Sequence, residues 1–268
     1  MTILEIKNLE YSYQDKKVIT NLNLSIEEGS FTTIIGNNKS GKTTLIKLIC
    51  GLLDSKNSIT IQDNRANTRP LSNNFQFFGV VFSDIENKFL FQDVYQELAF
   101  PLENLNLKKE EIEKKIVDIA KEFRNTKLLD KKIEDLTISE KKELLVMISL
   151  LHDPKVLVLD HAFSMMNKKT KEKIGRILLE KQKKEKLTII LTTTNLEEII
   201  DSDYTYVIHN GQIIMEGKPL MLLREDKILN RVGLELPFMI DLSQKLKFYE
   251  LLTEEITDMD RMVNALWK

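Results

Sequence analysis

Eight residues, Gly36-Asn37-Asn38-Lys39-Ser40-Gly41-Lys42-Thr43, constrain this chain more than any other stretch. They fit G-x-x-x-x-G-K-[ST] and stand between an apolar β-rich run, Phe31 to Ile35, and a helical pattern that begins near Lys42 and carries Leu45, Ile46, Leu48 and Ile49. Strand, glycine-bounded turn and helix in that order set a row of backbone N–H groups at a helix N-terminus, where the dipole also favours negative charge. The sequence therefore predicts a phosphate-binding loop running from Gly36 through Asn37, Asn38, Lys39, Ser40, Gly41, Lys42 and Thr43 to Thr44. In such a loop the lysine reaches the β- and γ-phosphates of a nucleoside triphosphate and the Thr43 hydroxyl ligates Mg²⁺.

Composition narrows the surroundings of that loop. With 39 Lys+Arg against 41 Asp+Glu, the net charge of −2 supplies no global basic field, so no nucleic-acid partner is expected. The single cysteine, Cys50, falls in the helix after the loop, where it is expected to pack as a small apolar residue, and no disulfide framework is possible. The opening MTILEIKNLE has charges within its first seven residues and no signal-like apolar core, and no uncharged run approaches the ~20 residues that span a bilayer. Any membrane role is expected to be peripheral.

Before the loop, residues 3 to 30 alternate apolar and polar positions, with turn chemistry at Gln14-Asp15 and Glu28-Gly29, and predict an antiparallel β-segment. Tyr13, at the end of a strand there, either packs against the sheet or stacks on a purine base. Residues 59–64 and 75–82 predict strands joined by the polar loop NRANTRPLSNN. From Asp93 to Leu136 the pattern turns helical, with Ile112, Ile116, Ile119, Ala120 and Phe123 beneath a Lys/Glu-rich face, and predicts an inserted helical lobe. SEKKELLVMISLLHDP predicts a long helix, and KVLVLD a buried strand that ends on Asp160. A strand of branched residues closing on a carboxylate is how a phosphate-loop enzyme orients its Mg²⁺. A basic helix, the strand LTIILTT, a helix over NLEEIIDS and the hairpin YTYVIHNGQIIMEG, with the type I′ turn signal Asn210-Gly211, follow. From about Met221 a small appendage with Pro237 and an acidic patch closes the chain.

This order resembles the nucleotide-binding subunits of ABC transporters across roughly residues 2 to 220. FSDIENKFLFQDVYQELAFPLENLNL and RVGLELPFMIDLSQKLKFYELLTEEI look, more narrowly, like the ATP-binding subunits of energy-coupling factor (ECF) importers of vitamins and transition-metal ions. The resemblance implies an α/β P-loop NTPase of ABC type: a nucleotide-binding domain over 1–220 with an N-terminal β-subdomain and an inserted helical lobe near 84–150, then an appendage, 221–268, that mediates dimer contacts. It implies ATP and Mg²⁺ as cofactors, Tyr13 as the base-stacking aromatic and Asp160 as the metal-orienting carboxylate. It further implies a hetero- or homodimer with a second ABC ATPase subunit, transmembrane scaffold and substrate-binding membrane partners, and a peripheral place on the cytoplasmic face of the membrane. In the stretch where such a scaffold docks, Asp93 and Glu97 are the candidate coupling carboxylates, the alternative being surface helix charges.

The sequence also departs from that family. Where it has L-S-G-G-Q, this chain reads Leu136-Thr137-Ile138-Ser139-Glu140, which removes both glycines that let backbone approach a partner's γ-phosphate and adds a carboxylate facing a negative ligand. The general-base glutamate is replaced by His161, the loop aspartate by Asn167, the glutamine before the lobe, a metal and water ligand, by Ser83, and the switch histidine by Thr194. Loss of a catalytic base typically costs ~10²- to 10⁴-fold. His161 either serves as base, since imidazole titrates near neutrality, or is a position without that role beside bound Mg²⁺. Two functions follow: an ATPase motor of an importer, or a nucleotide-gated module that completes a dimer without turnover at its own site. Because the altered base and altered signature lie on one chain, they fall in different composite sites, and slow hydrolysis is expected of any assembly that contains it. A soluble ABC-type protein outside transport is a third reading, against which the tail and the single cassette argue.

Overall fold

The alternation of the first thirty residues closes into a hairpin. Strands β1 (Thr2–Tyr13) and β2 (Lys16–Glu27) pair antiparallel around a turn in which Gln14 takes a left-handed φ of 49°. In the computed structural model, which describes residues 1–56, 58–61, 64–65, 77–85, 88–252, 256 and 259–266, these two strands extend through β4 (Ile59–Ile61) to the backbone of β5 (Asn64–Arg65) as a four-stranded sheet. Most of the polar loop expected over 64–74, and the first residues of the strand expected at 75–82, lie outside the described residues; β6 is described over Phe78–Val81.

The continuous apolar runs build a second sheet. β3 (Phe31–Ile35), β7 (Val156–Asp160) and β8 (Thr188–Thr193) are buried at every position, as strands covered on both faces must be. With β6, β9 (Tyr204–His209) and β10 (Gln212–Gly217) they form a six-stranded sheet in the order β10-β9-β3-β8-β7-β6, parallel except for the hairpin strand β10. Successive residues of one strand enter different cores. Val156 and Val158 join a cluster with β1, β2 and helix α1 (Lys42–Ile49), whereas Leu157 and Leu159 join the helical lobe.

That lobe comprises α2 (Val94–Glu103), α3 (Lys109–Glu122), two 3₁₀ turns at Thr126–Asp130 and Ile133–Asp135, and α4 (Ile138–Leu150). Ile112, Ile116, Ile119, Ala120 and Phe123 are its buried stripe, leaving the Lys/Glu face to solvent. α5 (Lys168–Glu185) follows β7, and the expected helix over NLEEIIDS is a short 3₁₀ turn, Leu196–Ile199. Asn195 caps its start by accepting from the Glu197 N–H.

Beyond residue 220, where an appendage is expected, the chain packs in two parts. Leu222, Leu223, Leu229, Val232 and Leu234, from α6 (Pro219–Leu222), α7 (Asp226–Arg231) and the turn after it, share a core with Ile35 and Val207 of the main sheet. Among the described residues Leu252, Ile256 and Met262 form a separate small buried cluster, against which Met239 and Leu246 of α8 (Phe238–Phe248) and Ala265 of α9 (Met259–Leu266) pack.

Candidate functional site

Ile35, Asp160 and Thr193 end three neighbouring parallel strands at the same edge of the sheet, the edge at which open α/β sheets bind ligands. The loop leaves this edge at Gly36, where a Cβ would sit 2.2 Å from the Ile208 carbonyl oxygen, so only glycine lets the chain pass. The loop is tied to the β9–β10 hairpin by the Gly211 N–H, which donates to the Ser40 carbonyl at 2.9 Å, and it enters α1 through Gly41.

Lys42 is 4% exposed, and its ammonium donates to the Gly36 and Asn37 carbonyls at 2.7 and 2.9 Å. Burial pushes its pKa down to about 8 against the opposing pull of Asp160. The ammonium is thus already held inside the loop by the backbone it serves, in a desolvated setting where its attraction to phosphate is strengthened.

A cleft of about 540 Å³ is lined by loop residues 38–44 together with Tyr13, Ser83 and His161. These residues come from four separate stretches of sequence. Tyr13 is 42% exposed there, with only its neighbour Tyr11 set edge-on at 5.0 Å, so it is not a core residue. Lys16 and Ser164 line the same cleft, and sequence reasoning missed both. No motif flags Lys16; it arrives because the β1–β2 turn sets it beside Tyr13. Thr194 does not line the cleft and is exposed.

Asp160 is fully buried. Its Oδ1 accepts from the Thr192 hydroxyl at 2.5 Å on the adjacent strand, and its Oδ2 is the one buried carboxylate oxygen among the described residues without a partner. An orphan carboxylate oxygen is costly unless something positive meets it. Together with the Thr43 hydroxyl it is a donor set suited to Mg²⁺, which takes one or two protein oxygens and completes its shell with water and phosphate. No group of three His, Cys, Asp or Glu that would hold a metal on its own occurs among the described residues.

His161 follows Asp160 with a left-handed φ of 51°. Burial first, and then the Lys42 charge, lower its pKa below the ordinary histidine value, so the imidazole is neutral at pH 7. Its carbonyl accepts from the Ser164 hydroxyl at 2.8 Å, and the buried Lys142 of α4 donates to Ser164 Oγ at 3.0 Å. At the far end of that loop, Ser139 Oγ accepts from the Asn167 backbone N–H and side-chain amide, both at 3.0 Å. The loop carrying His161 is therefore fastened at both ends to the first turns of α4.

The start of α4 corrects one expectation. The Glu140 carboxylate is not a free negative charge: it closes a capping box with Thr137 and meets Lys131 at 2.6 Å, and these contacts outweigh burial to hold its pKa low. Glu97 is likewise turned inward. It is 6% exposed and its Oε1 accepts from the Leu90 and Phe91 backbone N–H groups, so it shapes the loop before α2. Asp93 is half-buried, and its backbone bridges to Lys132. Cys50 is buried, with its thiol pushed up to about 12 by burial, and is chemically inert. A larger cavity of about 680 Å³, bordered by Glu5, Tyr204, Tyr206 and Glu216, contains none of the phosphate-loop residues, and volume alone assigns it no role.

Comparison with known proteins gives the site its context. The ABC transporter family matches residues 19–164. The chain is 30% identical over 273 residues to the energy-coupling factor transporter ATP-binding protein EcfA1 of Lactobacillus delbrueckii subsp. bulgaricus, a match covering 99% of this chain and 97% of that protein. It is 30% identical over 240 residues to EcfA of Pediococcus pentosaceus, covering 88% and 86%. Among solved structures, cbiO1 of Clostridium perfringens, part of the ABC transporter complex cbiONQ, superposes with a TM-score of 0.78 at 28% identity, over 91% of this chain and 99% of that one.

Proposed function

This chain belongs to the ABC transporter family, and within it to the relatives that are energy-coupling factor ATP-binding proteins; from that premise we propose that it is the ATP-binding, ATP-hydrolysing subunit of an ECF-type importer. Its cargo would be a vitamin or transition-metal ion, taken up through transmembrane scaffold and substrate-binding partners, with the ATPase peripheral on the cytoplasmic face of the membrane beside a second ABC ATPase subunit. No helix among the described residues is long and apolar enough to cross a membrane, so spanning would fall to such partners.

The observation that carries this reading is the convergence of Tyr13, the phosphate loop, Ser83 and His161 on one cleft, with the Lys42 ammonium inside the loop. Tyr13 offers a ring face for the base, residues 36–44 cradle the phosphates, and the Lys42 ammonium neutralises their charge. Thr43 and Asp160 Oδ2 would hold Mg²⁺, which when bound would offset the negative charge that develops on the phosphoryl oxygens. Neutral His161 can accept a proton from water but lacks the charge of a carboxylate. ATP binding and hydrolysis by the purified chain, alone and with its partner ATPase, against Lys42→Ala, test the proposal. Binding that requires Lys42 supports it, and binding indifferent to Lys42 sinks it.

A second reading, a nucleotide-gated subunit with little turnover at its own site, is favoured by the start of α4. There the Glu140 N–H, one of the first-turn donors that a glycine-rich signature presents to a partner's phosphate, is bonded to Thr137 Oγ1 at 3.3 Å, and Ile138 stands 45% exposed in place of a glycine. Turnover as fast as that of a dimer built from two unaltered subunits would overturn this reading.

A further inference from the structure

The phosphate loop has a neighbour that its motif does not announce. After α7 the chain turns through Val232, Gly233 and Leu234, and a Cβ built on Gly233 would lie 2.5 Å from Nδ2 of Asn37, the second residue of the loop. Swinging the Asn37 side chain aside would break the hydrogen bond that its Oδ1 accepts from the Asn38 N–H at 2.9 Å inside the loop, and the backbone carbonyl of the same residue is the one that accepts from the Lys42 ammonium at 2.9 Å. The turn is also fixed from its other side. Val232 and Leu234 are buried in one cluster with Ile35, the last strand residue before the loop begins, and Gly233 holds a left-handed φ of 75°.

We infer that the Val232–Leu234 turn is a positioning element for the phosphate loop, so that nucleotide binding and the docking of residues 219–240 on the main sheet are thermodynamically coupled. The physical path is short. Ile35 ties the turn to the strand that launches the loop, and Asn37 ties it to the carbonyl that holds Lys42. Coupling of this kind is reciprocal: a turn held in place favours the loop conformation that binds phosphate, and bound phosphate in return holds the turn. The C-terminal segment then has a part in nucleotide affinity, distinct from any contact it makes with another subunit. This rests on the reading that the loop binds ATP.

The test is a double-mutant cycle in the full-length protein. Mg-ATP affinity is measured by calorimetry for wild type, Gly233→Ala, Asn37→Ala and the pair, and amide hydrogen exchange across residues 219–240 is followed in wild type with and without Mg-ATP. Gly233→Ala is expected to weaken binding by about 3- to 10-fold, and by less than about 2-fold in the Asn37→Ala background, where the clash is gone. Gly233→Asn, which tolerates the left-handed φ but not the contact, is expected to behave like Gly233→Ala, separating crowding from backbone strain. Wild-type exchange over the turn is expected to slow when Mg-ATP binds, a readout that needs no variant to fold. Normal affinity in folded Gly233→Ala, or exchange over 219–240 unmoved by bound Mg-ATP, would overturn the inference while leaving the nucleotide reading intact. Failure of wild type to bind Mg-ATP would overturn both.

Discussion

Thr192 donates its hydroxyl to Oδ1 of Asp160 across two adjacent parallel strands, at register partners Asp160 and Thr192, and so leaves Oδ2 buried without a hydrogen-bond partner. The arrangement predicts separate roles for the two atoms. Asp160→Asn keeps an oxygen for Thr192 and should fold, but the charge is gone, and Mg²⁺ should no longer enhance ATP affinity. Titrations with and without Mg²⁺ check this; an undiminished Mg²⁺ effect would remove Asp160 from the metal site. Thr192→Val, in contrast, leaves a second carboxylate oxygen unpaired and should lower stability by about 1–3 kcal/mol in a urea melt.

His152 sets a pH dependence of stability. It is half-buried, with Nε2 3.2 Å from the Phe78 carbonyl, and burial lowers its pKa below the ordinary 6.5. In the window between the lowered value and 6.5 the unfolded chain binds the proton that the folded chain refuses. The stabilising contribution is therefore complete above 6.5 and is lost as pH falls below it. Urea midpoints measured from pH 7 to pH 5 should decline, and His152→Gln should flatten part of that decline. His161, shifted in the same direction, should account for part of the remainder. An identical pH profile in His152→Gln would show that the shift is absent.

The start of α4 should behave as a structural cap. Thr137→Ala removes the acceptor of the Glu140 N–H and the hydroxyl that meets Glu140, and should cost about 1 kcal/mol of stability. Denaturant unfolding reads this directly. No change in midpoint would mean that the first turn is held by the bonds that survive the substitution, the Lys131–Glu140 contact and the Thr137 N–H donated to Glu140 Oε2.

His161 is the position where a single substitution should raise activity. Placing a carboxylate there, His161→Glu, supplies a charged base next to Asp160 and should increase ATP turnover in the partnered assembly by on the order of 10²-fold if the missing base is what limits it. Phosphate release under saturating Mg-ATP measures this. Unchanged turnover would place the limit elsewhere, with the altered first turn of α4 as the next candidate.

The candidate site was legible in sequence wherever its residues are contiguous. Residues 36–41 form a loop that hands over to α1 at Lys42, because a buried five-residue strand must give way to a helix within a glycine-bounded turn, and all three signals lie in one short stretch. Asp160 was legible for the same reason, as the end of an apolar run. The orientation of Glu97 was not. A carboxylate on the first turn of α2 reads equally well facing a partner or facing inward, and only the fold of residues 88–91 supplies the backbone N–H groups that draw it in. Glu140 differs in the same way, since the lysine that neutralises it stands nine positions away, on the far side of the 3₁₀ turn Ile133–Asp135.

By itself, then, the sequence determined the order of elements, the strand, glycine-bounded turn and helix that carry Lys42, the buried carboxylate and the family, because each depends on residue type and spacing along a continuous stretch. Tertiary structure alone decided that Lys16 and Ser164 join the cleft, that Thr194 stays outside it, that Thr192 selects one oxygen of Asp160, and that the Gly233 turn rests on Asn37. Each of these depends on how stretches far apart in the chain are brought together. What fixes such contacts is the strand register and the way residues 222–234 cover the end of β3, and no local pattern encodes either.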